Sequence, residues 1–274
     1  MRPRSLLFTI FGEYVRHYGR DIWVGSLLRL MAQFGMSEGA VRAAVSRMVK
    51  QGWLRSRRQG GKSYYYLTEK GARRLDEAAE RIYRINPQQW DGRWRIVTYS
   101  IPEEQRELRD GFRRELGFLG FGALASSTWI SPNPLQERVL ELADQYDIRD
   151  RVELFVAEHV GPSSPAELAA RVWDLPAIDA AYRDFIDRFR PRWEQARRRE
   201  GMTDSEAFVE RTVLVHEYRR FLFIDPDLPA ELLPQQWTGR EADLLFERYY
   251  RWLHPRATRF FESVYESMAA PAAR

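Results

Sequence analysis

Two neighbouring stretches carry side chains whose types and spacing suit a polyanion. In "SEGAVRAAVSRMVKQG" (Ser37 to Gly52), a helical period places Arg42, Ala43, Ser46, Arg47 and Lys50 on one stripe. Val41, Ala44, Val45, Met48 and Val49 fall on the opposite one, the side to be buried. Arg can bond a guanine edge through two hydrogen bonds, Ala and Ser leave room for approach, and Lys suits a phosphate. Shortly after, "LRSRRQGGKSYYYLT" (Leu54 to Thr68) sets Arg55, Arg57, Arg58 and Lys62 around a Gly-Gly pair, then adds three tyrosines. That stretch could be a disordered basic loop, a phosphate-cradling loop or a β-hairpin. The hairpin reading has a mechanism: "QGGK" tolerates positive φ between two strand-like runs. Alternation then expects Tyr65 and Leu67 on the core side, with Tyr64 and Tyr66 facing the other way.

Other chemistry is thinly represented. The four histidines (17, 159, 216 and 254) show no metal-ligand spacing, and there is no cysteine to join them. No nucleophile elbow or P-loop is present, and "GFLGFG" at 117–122 lies between a helix and a strand, the reverse of a dinucleotide fingerprint. "LVHEYRRFLFIDPDLPAELLP" (Leu214 to Pro234) is denser, with Glu217, Arg219 and Arg220 among Tyr218, Phe221 and Phe223. Arginines among rings could hold a ligand bearing phosphates and an aromatic group. They equally suit a core of aromatics under a solvated charged face.

The elements that must position the basic residues read as helix, helix, helix, hairpin. "SLLFTIFGEYVRHYG" repeats Leu6, Leu7, Ile10, Phe11, Tyr14 and Val15 at helical spacing. "DIW" reads as an extended link, Gly35 stops a second helix, and Ser37 caps the third. A helix with a basic outer face leading into a basic hairpin is the order of a winged helix-turn-helix. A helix from Thr68 follows, and "NPQQWDG" (Asn86 to Gly92) marks a boundary. Beyond it, strand, helix, strand, helix, strand forms the skeleton of a ferredoxin-like α+β domain, with a hairpin expected within 121–133. After "GPSSPAE" the chain reads as helical at about 165–173, 177–190, 204–224 and 239–268. Capping boxes are expected at Ser164 with Glu167, Thr203 with Glu206 and Thr238 with Glu241.

The expected class is thus an α+β multidomain protein: a winged helix-turn-helix at 1–85, a ferredoxin-like domain at 86–162 and a helical domain at 163–274. Charge divides the same way. Residues 1–85 hold 17 Lys/Arg against 7 Asp/Glu, a net of +10, whereas the rest hold 26 against 32, a net of −6. Arginine makes up 40 of the 43 basic residues, as a GC-rich genome would give, but such bias does not explain why the excess sits in the first third. A basic head on a mildly acidic body suits a nucleic acid. No apolar run approaches the ~20 residues of a membrane span, and the amino terminus is not expected to be a signal peptide. A chain of 274 residues without cysteine is expected in a bacterial cytoplasm.

Three stretches together resemble the PaaX-like family, bacterial repressors of phenylacetic acid degradation. They are "SEGAVRAAVSRMVKQGWL" with "SYYYLTEKG", "WDGRWRIVTYSIPEEQRELRDGFRRELGFLGFGALASSTWISP", and "LVHEYRRFLFIDPDLPAELLP". The resemblance implies a homodimer on double-stranded operator DNA, released by an aryl-acetyl-CoA thioester such as phenylacetyl-CoA, with no cofactor. Candidate DNA contacts are then Arg42, Ser46, Arg47, Lys50, Arg55, Arg57, Arg58 and Lys62, and candidate effector contacts are His216, Tyr218, Arg219, Arg220 and Phe223. The middle stretch also resembles the Cas2 endoribonuclease fold, whose first strand ends in a metal-binding Asp before "IP". Here "VTYSIP" puts Ser100 in that place, and a hydroxyl is a poor ligand for a hard divalent ion. A scaffold or dimerisation module follows from that departure. The rival classes are a non-specific nucleic-acid-binding protein, a nuclease and a CoA-ester enzyme.

Overall fold

The computed structural model describes residues 1–83, 89–199 and 201–268. Its first helices are α1 (Pro3–Glu13), α2 (Val24–Ala32) and α3 (Glu38–Lys50). Leu6, Leu7, Ile10 and Phe11 of α1, Leu27, Leu30 and Met31 of α2, and Val41, Ala44, Val45 and Met48 of α3 are all buried. Each helix buries most of the stripe its sequence period supplies, with Val49 at the end of α3 only half-buried. Pro3 occupies the first turn of α1, where a missing N–H breaks no helical bond.

A three-stranded sheet completes this part: β1 (Asp21–Trp23), β2 (Leu54–Gln59) and β3 (Lys62–Leu67), in the order β1-β3-β2. The "DIW" segment is therefore a strand and not a link, antiparallel to β3 with Ile22 opposite Tyr65. Gly60 and Gly61 turn the hairpin with φ of +56° and +75°, left-handed values that glycine adopts without strain. Helix α4 (Glu69–Ile82) starts at Thr68, whose hydroxyl accepts from the Gly71 N–H at 3.1 Å. A Cβ built at Gly71 would lie 2.5 Å from the Trp53 carbonyl oxygen, a backbone atom. Gly71→Ala should therefore destabilise the protein by roughly 1–3 kcal/mol through overpacking. Helix propensity alone would favour Ala there by about 1 kcal/mol, so a shift of the denaturation midpoint in either direction decides which effect wins.

The central elements are β4 (Trp94–Tyr99), α5 (Arg106–Phe118), β5 (Gly122–Ala125), β6 (Thr128–Ser131), α6 (Gln136–Gln145) and β7 (Val152–Ala157). Their antiparallel sheet runs β5-β6-β4-β7. Val97, Phe112, Leu116, Trp129, Val139 and Ile148 pack between sheet and helices. The hairpin expected within 121–133 is β5 and β6.

The chain continues through α7 (Pro165–Val172), α8 (Leu175–Arg198), α9 (Asp204–Tyr218) and α10 (Gly239–Val264). The capping boxes at Ser164 and Thr203 form as expected. The third does not: Thr238 gives its N–H and hydroxyl to Asp179 Oδ1 at 2.8 and 2.6 Å, while Glu241 bonds Arg190. Helix α9 tightens into a 3-10 turn over Arg219–Phe223 instead of running to 224. No helix among the described residues is long and apolar enough to cross a membrane.

Contacts regroup the three consecutive segments into two compact units. One gathers Met1–Tyr83 with Phe185–Arg219 and the residues from Glu241 on; the other gathers the central segment up to Asp184 with Arg220–Arg240. In the first unit α1 packs on α3 and α4 and also on α9, so helices distant in sequence complete the core of the basic head. The boundary read at Asn86–Gly92 lies partly outside the described residues.

Candidate nucleic-acid interface

The exposed side of α3 carries the residues its period assigned to it. Ser37 Oγ accepts from the Ala40 N–H at 3.3 Å and sets where the helix begins. With Val41, Ala44, Val45 and Met48 sealed into the core, the helix cannot rotate, and Arg42, Ser46, Arg47 and Lys50 stand exposed. Arg42 reaches Glu38 one turn back at 3.6 Å, a loose and solvent-exposed contact.

The hairpin follows α3 directly. Its register pairs Leu54 with Leu67, Arg55 with Tyr66, Arg57 with Tyr64 and Gln59 with Lys62. Partners opposite one another share a face, so Arg55, Arg57, Lys62, Tyr64 and Tyr66 lie on one side and Leu54, Arg58, Tyr65 and Leu67 on the other. Arg55, Arg57 and Arg58 are exposed. Among the described residues, Arg47, Lys50, Arg55, Arg57 and Arg58 form no ion pair with a carboxylate. Five cations on one helix and the strand after it, without a carboxylate partner among the described residues, have the chemistry a polyanion would need.

One face behaves differently from the expectation. Tyr64 points away from Leu67, as alternation requires, yet it is buried. The chain's own segment Val264–Met268 lies beside the edge strand β1 and reaches over this part of the face with Glu266. The Trp23 N–H donates to the Glu266 carbonyl at 2.8 Å, and the Met268 N–H donates to Asp21 Oδ2 at 2.6 Å. The Tyr265 hydroxyl donates to the Asp21 carbonyl at 2.9 Å. These bonds also explain why α10 ends at Val264 and not 268. The Glu266 carboxylate receives Lys62 Nζ at 2.7 and 2.9 Å and the Tyr64 hydroxyl at 2.9 Å. Hydrogen bonds from Lys62 and Tyr64 hold that carboxyl below the usual range. Lys62 Nζ also sits 4.4 Å from the Trp23 ring centroid. Among the described residues, Lys62 alone of the eight candidate DNA contacts is already held by a carboxylate at bonding distance. Neither Glu266 nor Trp23 is marked by any sequence pattern as part of this surface. A single acidic residue just past the last helix offers no periodic signal to find it by.

The candidate effector residues are divided between the two units. His216 and Tyr218 are buried in the first unit, His216 Nδ1 lying 2.9 Å from Thr9 Oγ1. Tyr218 stacks on Phe246 at 3.9 Å and its hydroxyl donates to Asp243. Arg219 Nη2 donates to the Ser5 carbonyl at 2.9 Å, and burial lowers its guanidinium to about 10. His216 and Arg219 thus tie the end of α9 to α1, while Tyr218 ties it to α10. Arg220 and Phe223 fall in the second unit, both exposed, with Phe223 near Phe118. Ser100 lies exposed just after β4. Among the described residues no group of three or more His, Asp or Glu side chains is placed to hold a metal ion.

Comparison with known proteins matches the whole succession of segments. Family models described as PaaX-like protein, PaaX protein central Cas2-like domain, and PaaX-like protein C-terminal domain match residues 2–71, 87–169 and 173–263. A protein of Escherichia coli (strain K12) named transcriptional repressor PaaX is 36% identical over 260 residues, which span 93% of this chain and 82% of that one. Among solved structures, an uncharacterized protein from Mycobacterium tuberculosis superposes with a TM-score of 0.55 at 26% identity, over 86% of this chain and 90% of the other.

Proposed function

Because the chain belongs to the PaaX-like family, we propose that it is a transcriptional repressor that binds operator DNA through a winged helix-turn-helix. The observation that carries this reading is the exposed row Arg42, Ser46, Arg47 and Lys50 on α3, continued by the uncompensated Arg55, Arg57 and Arg58 of the hairpin. Helix α3 enters the major groove, where Arg42, Ser46 and Arg47 meet base edges and Lys50 lies near phosphate. Arg55, Arg57 and Arg58 follow the phosphates or the minor groove beside it. The central domain reads as ferredoxin-like: its β-α-β-β-α-β order with sheet order β5-β6-β4-β7 is the arrangement that fold requires. With Ser100 at the end of β4 it serves as scaffold or dimer module, and the protein is a regulator rather than an enzyme.

The chain acts as a cytoplasmic homodimer on an imperfect palindrome whose half-sites lie about 34–36 Å apart. By family analogy it controls a phenylacetate catabolic operon and is released by an aryl-acetyl-CoA thioester. Of the five candidate effector residues, Arg220 and Phe223 present the exposed charge and ring such a ligand needs. His216 and Arg219 would act by shifting α1 of the head, and Tyr218 by shifting α10. A gel shift on the DNA upstream of the neighbouring catabolic genes tests the whole reading. The shifted band should disappear with phenylacetyl-CoA and persist with free phenylacetate. No band on that DNA, or a band equally strong on scrambled DNA, would exclude operator recognition.

A further inference from the structure

We propose that Lys62, Tyr64 and the Trp23 ring form a phosphate site on the far face of the hairpin, and that the chain's own Glu266 carboxylate occupies it in competition with the DNA backbone. The inference rests on the DNA-binding reading and concerns how that surface is regulated. Three observations support it. Lys62 directs its ammonium to both oxygens of Glu266, with the Tyr64 hydroxyl as a further donor, an arrangement equally suited to two oxygens of a phosphodiester. The occupied face is the one that bears the exposed Arg55 and Arg57, so the site continues a row of cations otherwise open to a polyanion. The holding segment is short and partly exposed, tied by the Trp23, Asp21 and Tyr265 bonds and by Arg29 Nη2 to the Val264 carbonyl at 3.4 Å. Side-chain exposures of 43% for Lys62 and 36% for Glu266 leave the pair within reach of a competing phosphate.

With Glu266 seated, Lys62 adds no net charge toward DNA. With the segment lifted, one further phosphate contact becomes available. Phosphate contacts ignore sequence, so the test uses the full chain and a short random-sequence duplex, titrated over a range of salt concentrations. Glu266→Gln keeps the shape and an acceptor for Tyr64 but removes the charge that holds Lys62. It should bind roughly threefold to fivefold tighter at low salt, the size of a partly exposed ion pair. The slope of log K against log salt should steepen by about 0.9, the value of one phosphate contact. In a Lys62→Met background, which keeps the aliphatic stem over Trp23, Glu266→Gln should change neither quantity. Equal or weaker binding by Glu266→Gln overturns the proposal, as does a gain that survives in the Lys62→Met background, which would mark general repulsion. If the unaltered protein binds neither this duplex nor the operon's upstream DNA, the DNA-binding reading fails, and this inference with it.

Discussion

Arg47→Ala should weaken binding to the cognate operator by roughly tenfold to a hundredfold, a loss of about 1–3 kcal/mol, while affinity for random duplex changes far less. Arg47 is exposed on α3 between the buried Val45 and Met48, so its direction is set by packing and not by its own flexibility. Without a carboxylate partner among the described residues, it has no ion pair to break before it reaches a base. Arg57→Ala provides the contrast. It lies on the hairpin strand, and its loss should lower both affinities together and flatten the salt slope by about 0.9. Anisotropy titrations on operator and scrambled duplexes separate the two patterns. If Arg47→Ala lowers both affinities equally, α3 does not read bases.

Arg211→Met should destabilise the protein by about 3–5 kcal/mol, measured by denaturant unfolding. Arg211 of α9 pairs with Glu13 of α1, with side-chain exposures of 2% and 1%. Its Nη2 donates to the Tyr250 hydroxyl at 2.8 Å, and that hydroxyl donates to Glu13 Oε1 at 2.8 Å. The Tyr83 hydroxyl donates to the other carboxylate oxygen, and the guanidinium lies 5.1 and 4.5 Å from the Tyr14 and Tyr250 rings. Removing the cation strands a buried carboxylate among phenols, which explains the size of the loss. The double variant Glu13→Gln/Arg211→Met should recover much of it, because neither charge is then left alone. If the double variant is no more stable than Arg211→Met, packing dominates over charge at this position.

Local signals were legible wherever one short stretch carried its own physics. The apolar stripes of α1 and α3, the Ser37 cap, the Gly60–Gly61 turn and the boxes at Ser164 and Thr203 all involve partners within about one helical turn. Thr238 shows the limit of that reasoning. The motif is complete in sequence, but Asp179 stands closer and takes both of its donors. The strand Asp21–Trp23 shows another limit, since three residues have too little pattern to announce a strand until β3 lies beside them. Tyr64 is a third case: its face followed from alternation, but its burial depended on what covers that face.

The amino-acid sequence alone determined which residues make the basic helix and hairpin, because periodicity, capping and turn geometry act over a few positions. It also determined the charge asymmetry, which composition carries directly. Only the tertiary structure decided that helices from the last third complete the core of the head, through contacts such as Glu13 with Arg211. Only there does Glu266 meet Lys62, 204 positions away. A charge pair at that separation leaves no periodic trace, and it forms because the packing of α10 against the head delivers the residues after it to the sheet beside β1. The same packing turns a lysine that reads as a free phosphate contact into one that DNA must win from the protein itself.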